Sequence, residues 1–265
     1  MDISTKNKNR FLGFADTYEA ARPRMPLLPI EIITQYLGSE PDLVVDLGCG
    51  TGLSTAIWSG HCNRVIGIEP SEDMLCVASK KADDALSFRK AFAHDTGLES
   101  GYADAVVCSQ SFHWMNPDLT LAEINRILKT GGVFAAIDYD WPPICNTQAE
   151  MAYNDLFTKV DAVEKSHPDL SNAFSRWDKN KHLSHIQGSG YFKYCREVVF
   201  LNTEPCDAER FILIALSQGG LQSILKKDRA LIQDEIDLFS SLIRGIFQDK
   251  RFEVRFCYRM RLGIK

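Results

Sequence analysis

From Pro41 to Asp140 the chain alternates short apolar runs with stretches of helical period. LVVDLG, RVIGIE, ADAVVCS and GGVFAAID are rich in β-branched and small apolar residues and predict four strands. Between them, Leu53 to Gly60, Ser71 to Ala82 and Pro117 to Leu128 predict helices. Ser71 suits an N-cap, with Glu72 and Asp73 placed favourably in the first turn. Pro117 suits a first turn, and Gly131–Gly132 a stop. Strand–helix alternation of this kind predicts an α/β fold with a doubly wound, mostly parallel sheet.

The pattern changes after Asp140. WPPICN is a break, and helical stretches are predicted over 148–165, 205–226 and 228–247. GYFKYCREVVFL, from Gly190, reads as a strand among them, and FEVRFCYRMRLGIK reads as a last strand antiparallel to it. ERFILIALSQGGLQSIL carries polar Ser217 and Gln218 inside an apolar run. It is either a bent helix lining a pocket or a loop between two helices.

Composition narrows the partners. The 265 residues are 45% hydrophobic with a formal net charge of -5, and no basic cluster of the kind a phosphate backbone rewards stands outside the alternating last strand. Nucleic acid is therefore not an expected partner. No apolar run approaches the ~18 residues that a membrane span needs, and MDISTKNKNRF has no apolar core of a signal peptide. Cysteines 49, 62, 76, 108, 145, 195, 206 and 257 are scattered without a CxxC pair, which predicts free thiols, no metal site and a reducing cytoplasm. His182 and His185, one helical turn apart, read as surface residues, because no acidic or cysteine partner stands nearby in the sequence.

VVDLGCGTGLST carries the chemistry. Gly48, Gly50 and Gly52 follow a strand directly, where glycines allow positive φ and close approach of a ligand to backbone. The third glycine comes one residue earlier than in the dinucleotide fingerprint GxGxxG, and Asp46 stands beside the loop, where it would repel a pyrophosphate. Glu69 ends the next strand, and a carboxylate there can accept hydrogen bonds from both hydroxyls of a ribose.

DLGCGTG, IEPSEDML and LKTGGVFAAI together resemble the class I S-adenosylmethionine-dependent methyltransferases, type 11 group, over about residues 11–140. Thr130 departs from the usual LKPGG. The resemblance implies a Rossmann-like seven-stranded sheet with an antiparallel last strand, helical lid insertions and S-adenosylmethionine as cofactor, released as S-adenosylhomocysteine. It implies cofactor contacts from Asp46 near the methionyl amine, from Gly48, Cys49, Gly50 and Gly52 of the loop, and from Glu69 and Pro70. Near the adenine it offers Asp95 with Thr96, or Ala93 and His94 if the alignment slides. Tyr18 and Arg22 of RFLGFADTYEAARPRMP match an arm that folds over the cofactor.

SQSFHWM follows the fourth strand, at the carboxyl edge where ligands sit in such sheets. Ser109 and Gln110 are expected along the methionine portion of the cofactor. Phe14, Phe112, His113, Trp114, Ser217 and Gln218 are the expected walls for a small-molecule methyl acceptor. His113 is either a general base or a wall. A methylsulfonium is already activated, so displacement needs mainly alignment; a carboxylate acceptor needs no base, whereas a hydroxyl gains from one. The expected organisation is an arm and helix over 1–38, a cofactor-binding core over 39–140, and lid insertions with the last two strands over 141–265. The competing readings are an inactive cofactor-binding sensor and a nicotinamide-dependent oxidoreductase.

Overall fold

The computed structural model describes Glu19, residues 21–171 and residues 176–265. Helix α1 (Leu28–Leu37) buries Ile30 and Ile33 and ends at Gly38, whose left-handed backbone lets its N–H reach the Thr34 carbonyl. Strand β1 (Leu43–Leu47) is buried throughout. Strand β2 (Arg64–Ile68), helix α2 (Glu72–Ser79), strand β3 (Leu86–Arg89), strand β4 (Ala103–Ser109), helix α3 (Pro117–Ile127) and strand β5 (Leu128–Tyr139) follow. Helix α4 (Thr147–Ser166), helix α5 (His182–Gly188), strand β6 (Tyr194–Cys206), helices α6 (Ala208–Leu216), α7 (Gly219–Lys227) and α8 (Gln233–Phe247), and strand β7 (Phe252–Ile264) complete the chain.

The seven strands form one sheet in the order β3-β2-β1-β4-β5-β7-β6. The first five are parallel, and β7 runs antiparallel to both β5 and β6. Alternating residues of β1 feed two cores: Leu43, Val45 and Leu47 pack on one face, and Val44 on the other. Full burial of such side chains contributes ~1.5–3 kcal/mol each, so the central strands are rigid supports for the loops at their carboxyl ends. Strand order reverses between β1 and β4, the place where a doubly wound sheet opens a crevice.

Several expected elements are corrected. Residues 53–60 form turns and one 3-10 turn (Ala56–Trp58) rather than an α-helix. The Ser54 and Thr55 hydroxyls are committed to Asp46 Oδ2, both at 2.8 Å, which pins the turn to β1. Pro205 and Cys206 still belong to β6, and the run after them is two helices parted at Ser217–Gln218. Ser71 occupies the cap position of α2, but its hydroxyl makes no cap bond; its N–H donates to Glu69 instead. All eight cysteines are free. Among the described residues, no helix is long and apolar enough to cross a membrane.

Candidate active site

The loops after β1 and β4 meet across the crevice. Ser111 Oγ donates to the Leu47 carbonyl at 2.6 Å. Gly48, at φ +68°, is so close to the other loop that an added Cβ would lie 2.7 Å from both Ser111 and Met115. Gly50, at φ +57°, has open space where its Cβ would be. Gly48, Cys49, Gly50, Glu69, Pro70, Ser109 and Gln110 all line one cleft, with Met74, Phe92, Ala93 and His94 along its walls. Glu69 Oε2 accepts the Gly50 N–H at 3.0 Å and Oε1 accepts the Ser71 N–H at 2.8 Å, so the carboxylate braces the glycine loop against the start of α2.

Four expected residues stand elsewhere. Asp46 lies beneath the cleft, fully buried, and its two hydroxyl partners do not outweigh burial, which raises its carboxyl to about 6. Asp95 is exposed and outside the cleft, whereas Ala93 and His94 line it. Thr96 is buried and donates through its N–H and hydroxyl to Glu123. Gly52 does not reach the cleft either; an added Cβ there would meet Phe88 at 2.8 Å, so its role is close packing.

A second cavity, of about 810 Å³, opens beside the first. Arg22, Gln110, Trp114 and Tyr139 line both. Its far side is built from α4 (Tyr153, Asn154, Phe157, Asp161), from the α6–α7 connection (Gln218, Gly219, Gly220), and from Arg176–Lys179. Trp141 stacks at 12° on Tyr153, and Tyr153 on Phe157, giving an aromatic wall. Arg22 stands between the cavities: Nη1 donates to Tyr139 Oη at 3.3 Å, Nη2 to the Ser217 carbonyl at 3.0 Å, and its guanidinium covers Trp141.

His113, Trp114 and Gln218 line this second cavity, whereas Phe112 and Ser217 do not. Phe112 is core, packed edge-on against Phe134 and His182. Ser217 is fully buried and contributes only its carbonyl. Phe14 and Tyr18 lie outside the described residues.

Behind His113 lies a group that the sequence reading missed. Asp138, near the end of β5, is 2% exposed and has four cationic or imidazole neighbours. Oδ1 lies 3.4 Å from His113 Nδ1 and 3.1 Å from Lys179 Nζ; Oδ2 lies 3.5 Å from His182 Nε2 and 3.3 Å from Arg261 Nη1. Burial pushes the Asp138 carboxyl up, but Lys179 and the two histidines together hold it well below the usual range, so it is ionised. Burial and the Lys179 charge bring His113 down to about 3, and burial brings His182 down to about 4, so both are neutral. His182 is thus a buried residue at 1% exposure, not the surface residue expected. Its acidic partner comes from a distant strand, and the signal available was an aspartate ending an otherwise apolar run.

His113, Asp138 and His182 are the donor types of a metal site, with ligand atoms within 4.8 Å of one another. Lys179 and Arg261 already neutralise the carboxylate, and a dication beside them would add repulsion on the order of 4 kcal/mol per unit-charge pair. The arrangement suits a buried ion-pair network better than a cation site.

Residues 45–136 match the profile of a family described as a methyltransferase domain, type 11. The chain is 26% identical over 244 residues to an uncharacterized methyltransferase-like protein of Schizosaccharomyces pombe, covering 91% of this chain and 89% of that one. A probable S-adenosylmethionine-dependent methyltransferase of Saccharomyces cerevisiae is 30% identical over 131 residues, 47% of this chain and 45% of that protein. Among solved structures, a type II methyltransferase candidate from Anaeromyxobacter dehalogenans superposes with a TM-score of 0.69 at 19% identity, covering 92% and 97% of the two chains. A phosphoethanolamine N-methyltransferase of Haemonchus contortus, solved with S-adenosylhomocysteine, gives 0.57 at 16%, over 100% of this chain and 60% of that one.

Proposed function

We propose that this chain, whose residues 45–136 match a methyltransferase-domain family, transfers a methyl group from S-adenosylmethionine to a small-molecule acceptor. The observation that carries this reading is the shared wall. Two cavities meet along Arg22, Gln110, Trp114 and Tyr139, so a donor in one would adjoin an acceptor in the other.

The first cleft suits the cofactor. Glu69 presents a carboxylate where a ribose diol would sit, Gly50 leaves room for a ligand against backbone, and Phe92, Ala93 and Met74 offer apolar walls to a flat base. Bound there, the cofactor would supply a methyl group on a neutral leaving group. Asp46 would act from below, holding the glycine turn through Ser54 and Thr55 rather than touching the ligand. The protein's own contribution is alignment and exclusion of water, and alignment alone can supply ~7–11 kcal/mol. The second cavity, aromatic on the α4 side and polar near Lys179, suits a small acceptor with a flat apolar part. In domain terms, 39–140 would bind cofactor, 141–265 would enclose the acceptor, and the segment around Arg22 would join them.

Calorimetric titration of the purified chain with S-adenosylmethionine and, separately, with NADH tests the reading. Micromolar binding of the first alone is expected. Binding of NADH, or of neither, would overturn it.

A further inference from the structure

We infer that Asp138 and His113 form a base dyad facing the acceptor cavity, with Asp138 as positioning residue and His113 as catalytic base, and that the acceptor atom is a hydroxyl oxygen. The inference rests on the methyltransferase reading and adds to it the class of acceptor.

The geometry is directional. His113 sits in the 3-10 turn Phe112–Trp114 and lines the acceptor cavity while being 5% exposed. Its Nδ1 is turned inward, 3.4 Å from Asp138 Oδ1, an ion-pair distance without hydrogen-bond geometry, and it has no hydrogen-bond partner. Its Nε2 makes no hydrogen bond within the protein and is not among the fully covered polar atoms, which leaves it for the cavity. An ionised carboxylate can only accept, so Asp138 selects the imidazole tautomer with the proton on Nδ1 and the lone pair on Nε2. The ring is held as well as oriented. Trp114 packs on it at 4.6 Å between centroids, and the His113 carbonyl accepts the Trp177 N–H at 2.8 Å.

Asp138 is itself fixed from both sides. Lys179 Nζ bridges its Oδ1 and Gln110 Oε1, the latter at 2.9 Å, so the carboxylate is tied to a residue that lines both cavities. Gln110 holds a positive φ of 55°, a backbone conformation that costs a non-glycine residue ~1–3 kcal/mol and persists where surroundings demand it. Arg261 and His182 take Oδ2. A carboxylate so surrounded is far better placed to orient a neutral imidazole than to act on substrate.

The chemistry that uses such a dyad is O-methylation of a hydroxyl. The acceptor oxygen forms its bond to the methyl carbon as the sulfur–methyl bond breaks, and the sulfonium becomes a neutral thioether. The product is first a protonated ether, much more acidic than an imidazolium, so even an imidazole of low basicity removes its proton. His113 Nε2 takes that proton, and the positive charge that began on sulfur ends on the imidazolium beside Asp138. A carboxylate acceptor has no proton to lose and would leave the dyad without work. The Trp141–Tyr153–Phe157 wall suits a phenol.

Two measurements on the full chain test this. Long-range ¹⁵N–¹H correlation on histidine-labelled protein should show His113, assigned by its absence in His113→Gln, as the Nδ1–H tautomer; the Nε2–H tautomer would overturn the dyad. If Zn²⁺ moves the His113 and His182 signals together and EDTA restores them, the cluster is a metal centre and the proposal fails. Release of S-adenosylhomocysteine is then followed with 4-methylphenol, catechol and benzoic acid as probes. Turnover of a phenol should fall about a hundredfold or more in kcat in Asp138→Asn and in His113→Gln, with KM and S-adenosylmethionine affinity changed less than about threefold. Turnover of benzoic acid alone, or a phenol kcat that survives both substitutions, would overturn it. Where no probe turns over, or Asp138→Asn does not fold, the wild-type tautomer decides. Loss of S-adenosylmethionine binding in the wild type would sink the methyltransferase reading, whereas binding with the wrong tautomer sinks only the dyad.

Discussion

Asp46 and Asp138 stand near the carboxyl ends of two parallel strands, both buried, and the protein treats them in opposite ways. Asp46 is given hydroxyls, from Ser54 and Thr55, and burial wins, so its carboxyl rises to about 6. Asp138 is given Lys179 and Arg261 as well as two imidazoles, and the charges win, so it stays ionised. Hydroxyl partners anchor a turn without fixing a charge. Cationic partners fix a charge that can then orient something else. The glycine-loop side of the molecule is built in the first manner and the side of the second cavity in the second.

The strongest way to break this contrast is to remove the charge that the second side depends on. Asp138→Ala leaves the buried Arg261 and the half-buried Lys179 around an empty place and should destabilise the chain by ~3–5 kcal/mol, read from urea unfolding. A loss below about 1 kcal/mol would mean that solvent already screens the cluster.

pH separates the two aspartates next. A carboxyl raised in the folded state binds its proton more tightly there than in the unfolded chain. Its stabilisation is therefore complete below the ordinary value of 3.8 and is lost as pH rises through about 6. Asp138 runs the other way: its contribution is present above 3.8 and is lost as pH falls below it. The stability of the native chain relative to Asp46→Asn should accordingly fall by ~3 kcal/mol between about pH 4 and pH 7. A flat difference between the two unfolding series would show that Asp46 is not held in this way.

Two smaller effects sharpen the account of the glycine-loop side. Gly48→Ala combines a positive φ with a 2.7 Å approach to Ser111 and Met115, and should cost roughly 2 kcal/mol or more of stability. Gly50→Ala, with the same backbone demand but open space, should cost about 1 kcal/mol, so thermal unfolding of the pair separates packing from strain. Glu69→Ala should weaken S-adenosylmethionine binding at least about tenfold, ~1.4 kcal/mol by calorimetry, while the fold persists. Unchanged affinity would remove Glu69 from the proposed cofactor site.

The sequence disclosed the glycine-loop cleft better than the second cavity, for a physical reason. DLGCGTG and IEP are contiguous, and each lies where one strand turns into its loop, so local spacing reports local geometry. Four of the five parallel strands and the antiparallel pair at the end could be read from apolar runs, whereas β3, four residues with only Leu86 buried, could not. The turn after Gly52 was misread as a helix because its hydroxyls serve Asp46, a tertiary demand invisible in the local period. Of the two alternatives near the expected adenine, the register of that loop turns Asp95 outward and sets Ala93 and His94 on the cleft. The His113–Asp138–His182–Lys179 network draws on three separate stretches of chain, and no spacing within any one of them betrays the others.

The position of β7 has a kinetic consequence. Among the described residues strand β6 pairs with β7 alone, over thirteen positions, and β7 lies between it and the parallel half of the sheet. During synthesis β6 emerges first, followed by three helices, and has no neighbour in the sheet until the strand beginning at Phe252 arrives. Closing so long a connection adds little to the equilibrium cost, since loop entropy grows only logarithmically with length. It does make the step slow and leaves a long edge, with Val199 and Leu201 exposed, unpaired while the nascent chain waits.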